Sequence, residues 1–305
     1  MSEYILQTNA LTKYYKKHAA VDSVSLNIRK GSIYGLVGRN GAGKTTFMKM
    51  ICSLANPSSG SFSICGETYP AIGTARSKVG NLIETPGFYE KMNAFDNLRA
   101  KAKLFHKDQK ERINEILQIV GLSKAGSKAA GKFSLGMLQR LGIGIALLGD
   151  PEILVLDEPI NGLDPTGVAE VRETLKYLNT EHGITILISS HILGELSKLA
   201  TDYGFIEKGR LIREVSHDQL LDDCTGFVRL SVDQTDRAVS VLHSLGITDI
   251  TQGEPDGLRL TGCTERTAEI TEALVRDGVR VFEIARQGMD LEHYYLNMIG
   301  KGGKE

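Results

Sequence analysis

The sequence predicts an α/β protein whose core is a parallel β-sheet, and three short apolar runs carry this prediction. Residues 32–37, 153–156 and 184–188 are mostly hydrophobic, as strands are when both faces of a sheet are covered. Glycine-rich or polar residues follow each run directly. Because ligands bind at the carboxyl ends of the strands in open parallel sheets, these three junctions are candidates for one functional site.

The composition fits a soluble chain of 305 residues, long enough for one large core and an accessory domain. A net charge of −1 argues against nucleic acid or an anionic membrane surface as a partner. No apolar run approaches the roughly 18 residues of a membrane span, and the polar start at residues 1–7 is no signal peptide. The cysteines lack C-x-x-C spacing, and we expect reduced, buried thiols at Cys52, Cys65, Cys224 and Cys263.

The first 30 residues are expected to form antiparallel strands at 4–8 and 24–28, since both stretches alternate and are bounded by turn residues. Between them, Tyr14 and Tyr15 lie in a basic stretch. One of these rings could stack on a purine, or both could be half-exposed loop residues. The residues alone leave both interpretations open.

Residues 38–46 fit the pattern G-x-x-x-x-G-K-[ST] of a phosphate-binding loop. Small residues let successive backbone N–H groups turn toward phosphate oxygens, the lysine can reach the β- and γ-phosphates, and the next hydroxyl can ligate Mg²⁺. Apolar residues at helical spacing follow, so the phosphates would lie at a helix N-terminus. This strand-then-helix context disfavours the alternative of a simple glycine-rich turn. The predicted nucleotide-binding residues are Gly38, Arg39, Asn40, Gly41, Ala42, Gly43, Lys44, Thr45 and Thr46, and Thr45 is also a predicted metal ligand.

Residues 88–148 are expected to be mostly helical. Asn93 can cap a first helix that continues through residue 104, and Gly121 ends a second helix. The apolar stripe of that second helix comprises Ile113, Ile116, Leu117 and Val120.

The second buried run ends in two adjacent carboxylates, Asp157 and Glu158, which is costly unless each is compensated. A magnesium ion suits the first, and a water that is being deprotonated suits the second. The alternative, an acidic turn without function, is disfavoured beside a P-loop. The third run ends in Ser189, Ser190 and His191. A lone histidine is more often structural, but a third polar cluster at the sheet edge favours a role in the same site.

The composition changes near residue 216, and we expect a small α+β domain over residues 216–305. The predicted order β-α-β-β-α-β, at 227–232, 236–245, 247–250, 258–260, 265–277 and 279–284, indicates a ferredoxin-like unit. An amphipathic helix at 291–299 and a disordered tail are expected to follow. This region carries no chemical motif.

Over residues 3–215, the assembled motifs resemble the ATP-binding subunits of ABC transporters, and F-S-L-G-M-L-Q-R at 133–140 looks like the signature motif of that family. The resemblance implies a nucleotide-binding domain over 1–215: a P-loop (RecA-like) parallel-sheet core with an antiparallel β subdomain and a helical subdomain at about 88–150. It implies ATP and Mg²⁺ as ligands and ATP hydrolysis as the activity. It also implies two partners, a membrane-spanning permease and a second copy of the chain. The expected location is the cytoplasmic face of the cell membrane, as a peripheral protein, with no nucleic acid bound.

The resemblance also implies roles for single residues within one subunit. Tyr15 stacks on adenine, since the following residues 20–22 place it rather than Tyr14. Asp157 holds Mg²⁺ through water, Glu158 polarises the attacking water, and His191 senses the γ-phosphate.

Across the implied dimer, Ser134 and Gly136 bind the phosphates of the ATP held by the other subunit, and Asp164 belongs to a loop that connects the two sites. The family usually has L-S-G-G-Q in the signature, whereas Leu135 and Met137 replace a glycine and the glutamine here. The serine hydroxyl and an amide donor remain, so we expect phosphate recognition to persist.

Glu84 stands where the family normally has a glutamine that reaches the metal. It keeps an oxygen ligand and adds a negative charge, so it should tighten Mg²⁺ binding, unless the side chain points to solvent. Glu84, the S-L-G-M signature and the C-terminal domain resemble the branch of the family that exports bacitracin and lantibiotic peptides.

Three classes of function compete. The first is a transport motor, in which ATP drives a separate membrane-spanning partner. The second, a soluble ABC ATPase acting on ribosomes or DNA, usually has two cassettes, coiled-coil insertions or basic arms, which this chain lacks. The third, a P-loop kinase or GTPase switch, is disfavoured by the signature motif and by the adjacent carboxylates of Asp157 and Glu158.

Overall fold

The computed structural model describes residues 3–84, 87–105, 110–224, 226–253 and 257–287, together with positions 291, 294, 295 and 298. The chain divides into two compact units, Met1–His217 and Asp218–Glu305. Across the described ranges, none of the helices combines the length and apolar character needed to cross a bilayer.

The strands are β1 Tyr4–Tyr15, β2 His18–Val24, β3 Asn27–Arg29, β4 Ile33–Val37, β5 Ser59–Ile64, β6 Glu67–Thr68, β7 Val79–Leu82, β8 Ile153–Leu156, β9 Thr185–Ser190, β10 Asp202–Glu207, β11 Arg210–Ser216, β12 Phe227–Val232, β13 Ile250–Gly253, β14 Gly257–Thr261 and β15 Val281–Gln287. The α-helices are α1 Lys44–Ile51, α2 Ala94–Ala102, α3 Lys110–Ile119, α4 Leu135–Ala146, α5 Pro165–His182, α6 Leu193–Leu196, α7 His217–Cys224, α8 Thr235–Ser244 and α9 Thr267–Arg276. Short 3₁₀ helices lie at Ala75–Lys78, Lys103–Phe105, Ser123–Ala125, Ala130–Lys132, Leu147–Gly149 and Thr264–Arg266.

The first unit begins with an antiparallel sheet of order β2-β1-β5-β6, in which β3 also pairs with β1. The predicted strand at 24–28 is interrupted, because β2 ends at Val24 and β3 begins at Asn27. Between them the Thr8 hydroxyl donates to the Val24 carbonyl at 3.0 Å and accepts from the Leu26 amide at 2.9 Å, while the Thr8 amide donates to the Leu26 carbonyl at 2.9 Å. Tyr14 and Tyr15 are half-exposed, but they do not lie in a loop, because β1 extends to Tyr15 and pairs with β2.

The second sheet of the first unit has the order β11-β10-β4-β9-β8-β7 and carries the site. The strands from β10 to β7 are parallel, and β11 is added antiparallel at one edge. All residues of β4, β8 and β9 are buried, as their continuous apolar runs predict. The predicted parallel sheet is therefore confirmed, and the carboxyl ends of these three neighbouring strands meet at one edge.

A mostly helical segment, with α2, α3 and α4, lies between β7 and β8. Asn93 caps α2, its side-chain oxygen accepting from the Asp96 amide at 2.8 Å. That helix ends at Ala102 and tightens into a 3₁₀ turn, so it is shorter than predicted. The predicted apolar stripe is buried and continues just past the end of α3. It comprises Ile113, Ile116, Leu117 and Val120.

The second unit contains an antiparallel sheet of order β13-β14-β12-β15. Along the chain its elements follow the order strand, helix, strand, strand, helix, strand, and α8 and α9 bury Leu242 and Leu274 in its core. Most of the predicted helix at 291–299 and all of the tail at 301–305 lie outside the described residues.

The four cysteines are not paired with one another in disulfides, but the expectation that they are buried holds only for Cys263. Cys52, Cys65 and Cys224 are half-buried, because each lies at or just beyond the end of a helix or strand. Burial still raises the pKa of Cys65 to about 11 and that of Cys52 further.

Candidate functional site

The loop of residues 38–43 joins β4 to α1, as predicted, and close backbone packing requires glycine at two of its positions, Gly38 and Gly43. A Cβ atom on Gly38 would lie 2.6 Å from the carbonyl oxygen of Ile206, and one on Gly43 would lie 2.4 Å from that of Ala20. Gly43 also has a φ of +108°, which side chains rarely adopt. The loop is thus a backbone-lined cradle at the N-terminus of a two-turn helix.

Lys44 lies inside this cradle with only 5% of its surface exposed. Its ammonium group donates to the carbonyl of Gly38 at 2.6 Å and to that of Arg39 at 3.2 Å. The same nitrogen lies 3.1 Å from Oε1 of Glu158. The predicted phosphate-binding lysine and the predicted base are therefore adjacent.

Asp157 follows β8 and is held from both sides by hydroxyl groups. Thr45 donates to its Oδ2 at 2.6 Å, and Ser189, at the end of the next strand, donates to its Oδ1 at 2.6 Å. Ser189 is fully buried and also accepts from the backbone amide of Glu158 at 2.9 Å. The Ser189 hydroxyl thus ties both carboxylate residues to β9.

Glu158 lies in a left-handed turn with a φ of +50°, a conformation that is uncommon for a residue with a Cβ atom. Its Oε2 lies 2.7 Å from Nδ1 of His191, and its Oε1 faces Lys44. His191 is about one third exposed. The predicted polar clusters at three strand ends therefore form one connected site.

The side chains present fit a magnesium nucleotide. The hydroxyl of Thr45 and the carboxylate of Asp157 form an oxygen-only donor pair directly beside the phosphate cradle, and Mg²⁺ prefers such ligands. In the ranges that the structure describes, no three His, Cys, Asp or Glu side chains form a preformed metal cage. Two protein oxygens completed by phosphate and water oxygens match the usual protein environment of this ion.

Glu84 lies two residues beyond β7, beside the end of β8, because the amide of Asp157 donates to the Leu82 carbonyl at 2.8 Å. Its φ of +65° is again left-handed, and its carboxylate accepts from Nζ of Lys49 at 2.5 Å. That hydrogen bond is the main cause that raises the pKa of Lys49, and the ionisable groups of Tyr15 and Asp157 contribute.

Sequence reasoning missed Lys49, although one signal was available. Lys49 lies four residues after Thr45 on α1, and residues at this spacing share one face of a helix. Tyr15, the predicted adenine-stacking residue, is half-exposed at the end of β1, with the ammonium of Lys13 5.2 Å from its ring centroid.

The signature residues lie at the start of α4. Ser134 caps this helix, its hydroxyl accepting from the Met137 amide at 3.3 Å, and it is exposed, whereas Gly136 is buried. Asp164 caps α5 in the same way, accepting from the Gly167 amide at 2.9 Å. Both residues therefore have a structural role within their own subunit, and each marks a helix N-terminus.

A parallel sheet with a phosphate loop after β4, an acidic pair after β8 and a histidine after β9 defines the class of P-loop nucleotide hydrolases.

The ABC transporter family model matches residues 21–161. The chain is 41% identical over 304 residues to the bacitracin transport ATP-binding protein BcrA of Enterococcus faecalis, covering 99% of this chain and 98% of that protein. It is 41% identical over 214 residues to the lantibiotic transport ATP-binding protein SrtF of Streptococcus pyogenes, covering 70% and 92%.

Among solved structures, the ADP conformation of MJ1267, an ATP-binding cassette of an ABC transporter, matches with a TM-score of 0.64 at 26% identity, covering 73% of this chain and 96% of that one. The chain belongs to the ATP-binding proteins of the ABC transporter family, and its activity is ATP hydrolysis.

Proposed function

We propose that this chain is the ATP-hydrolysing subunit of an exporter that removes a peptide antibiotic of the bacitracin or lantibiotic type. The observation that carries the enzymatic part is the contact of Glu158 with both Lys44 and His191 at the phosphate cradle. The near-full-length similarity to a bacitracin transport protein supports the substrate class.

In the proposed reaction, Glu158 is the base that takes a proton from the attacking water, and His191 orients its carboxylate. Lys44 binds the β- and γ-phosphates, because its buried ammonium faces the centre of the cradle. Asp157 and Thr45 would hold a magnesium ion, which supplies positive charge to the phosphate oxygens when it is bound. Ser189 keeps Asp157 and Glu158 in register through its two hydrogen bonds.

The proposed active form is a dimer with two ATP molecules between the subunits. The exposed Ser134 at the N-terminus of α4 would meet the phosphates bound by the partner, since helix N-termini favour anions. Tyr15 would stack on adenine, and Asp164 would link the two sites. The dimer would act at the cytoplasmic face of the membrane, on a separate permease, without nucleic acid.

A resistance assay tests this function. The chain is expressed together with the neighbouring reading frames of its genome in a sensitive Gram-positive host, and growth inhibition by bacitracin and by a lantibiotic is measured. We expect resistance to at least one peptide, and its loss in Glu158→Gln with normal protein levels. Full sensitivity despite measurable ATPase activity in the complex would contradict the peptide-export proposal, and sedimentation with ribosomes would then favour the non-transport alternative.

A further inference from the structure

The ion pair between Lys49 and Glu84 joins the phosphate-loop helix to the end of β7. Lys49 lies one turn after Thr45 on α1, so their Cβ atoms are about 5–6 Å apart. The Glu84 carboxylate contacts the Lys49 ammonium at 2.5 Å. The backbone of Glu84 is also fixed near Asp157, because the ends of β7 and β8 are paired. The Glu84 carboxylate is therefore tied to the helix that carries Thr45, and its backbone follows the strand that pairs with β8, which Asp157 follows.

We propose that Lys49 is a positioning residue for Glu84. Its ammonium holds the Glu84 carboxylate in an ion pair, and this carboxylate must leave the ion pair in order to interact with the metal ion at Thr45 and Asp157. This inference rests on the proposed magnesium-dependent ATP site. It assigns a role to a lysine that takes no part in the phosphate cradle itself.

The charges explain why the two residues act as a pair. A glutamine in place of Glu84 has no charge, so it could accept a hydrogen bond from Lys49 but could not neutralise it. The Glu84 side chain is 64% exposed and that of Lys49 31%, so the pair is weak enough to open. A divalent cation attracts the same carboxylate more strongly than a single ammonium does at equal distance.

Competition fixes the sign of the effect. If Lys49 and the metal ion compete for Glu84, removing the ammonium should tighten metal binding. A lysine near a cation also weakens binding by direct repulsion, whether or not it pairs with Glu84. The two contributions separate in a double-mutant cycle, since only the first requires the carboxylate.

The experiment measures Mn²⁺ binding by electron paramagnetic resonance in the presence of AMP-PNP, for wild type, Lys49→Met, Glu84→Gln and the double variant. We expect Lys49→Met to lower the Mn²⁺ dissociation constant by about fivefold in the wild-type background, the upper range for an exposed ion pair. In the Glu84→Gln background the same change should lower it by less than about twofold. Glu84→Gln alone should weaken Mn²⁺ binding.

Two controls accompany the cycle. Lys49→Arg keeps the ion pair and should match wild type. Lys30→Met removes a lysine from another surface ion pair, which Lys30 forms with Glu152 at 3.1 Å. Because Lys30 precedes β4, it lies at the opposite edge of the sheet, and its replacement should leave Mn²⁺ binding unchanged.

Equal effects of Lys49→Met in both backgrounds would reduce its role to through-space repulsion and overturn the proposal. Weaker Mn²⁺ binding in Lys49→Met would overturn it as well. If neither wild type nor any variant bound Mn²⁺ in the presence of AMP-PNP, the result would instead refute the proposed metal site on which the inference rests.

Discussion

The bridging hydroxyl of Ser189 provides a test of how the two carboxylates are held. Ser189→Ala removes the acceptor of the Glu158 amide and a donor to Asp157, while the methyl group fits the space. An amide left unpaired in a buried site costs about 1–3 kcal/mol, and a hydrogen bond to a charged group contributes about 1.5–3 kcal/mol. Because Asp157 keeps its bond from Thr45, we expect a loss of about 2–4 kcal/mol in the free energy of unfolding.

Ser189→Ala should also slow catalysis, because the same hydroxyl holds both carboxylate residues in place. Displacement of Asp157 and Glu158 by a fraction of an ångström should lower kcat about 10- to 100-fold at saturating magnesium and ATP. Ser190→Ala is the matched control, because Ser190 is equally buried but its hydroxyl accepts from the Ile192 amide at 2.9 Å. Urea denaturation and steady-state ATPase assays are run on both. A kcat for Ser189→Ala within about twofold of that for Ser190→Ala would refute the bridging role.

Three further predictions concern the dimer, the cradle and the pH dependence of stability. Ser134→Arg should abolish ATP-induced dimerisation in light scattering while ATP affinity of the monomer changes less than about threefold; a surviving dimer would contradict the proposed arrangement. Gly43→Ala should lower ATP affinity at least about tenfold, because its Cβ would lie 2.4 Å from a backbone oxygen. Gly31 also has a positive φ but has open space around it, so Gly31→Ala should keep the affinity of wild type. Equal ATP affinities of the two variants in calorimetry would disprove the cradle argument. Desolvation of the carboxylate that accepts from Tyr34 raises the pKa of Glu214, so its contribution to stability is present below pH 4.5 and is lost as the pH rises through the raised value. Glu214→Gln, which keeps the acceptor for Tyr34, should reduce the dependence of the melting temperature on pH between pH 4.5 and that raised value, and a profile equal to that of wild type would contradict this assignment.

The fold was predictable where a single local signal decided the structure. The bounds of β4, β8 and β9 lie within two residues of the predicted runs, because full burial on both faces leaves no alternation to misread. The strand predicted at 24–28 is interrupted where the Thr8 hydroxyl forms hydrogen bonds with the Val24 carbonyl and the Leu26 amide. No pattern along the chain signals such a side-chain contact.

In the candidate site, too, residues of local motifs were predictable, whereas contacts between distant parts of the chain were not. Lys44, Asp157 and Glu158 belong to motifs that short segments define, and the structure brings them together as expected. The ion pair of Lys49 with Glu84 joins residues 35 positions apart, and local spacing cannot predict it. Its geometry depends on the left-handed backbone at Glu84, which sequence patterns favour for glycine or asparagine rather than glutamate.

The most direct test of the central claim is the single-turnover hydrolysis rate of Glu158→Gln. The glutamine keeps the shape and a hydrogen-bond acceptor for Lys44 but cannot accept a proton from water at neutral pH. A positioned base contributes on the order of 10²–10⁴ to the rate. We predict that Glu158→Gln binds ATP as wild type does and hydrolyses it at least about 100-fold more slowly. A rate within about threefold of wild type would contradict the assignment of Glu158 as the base.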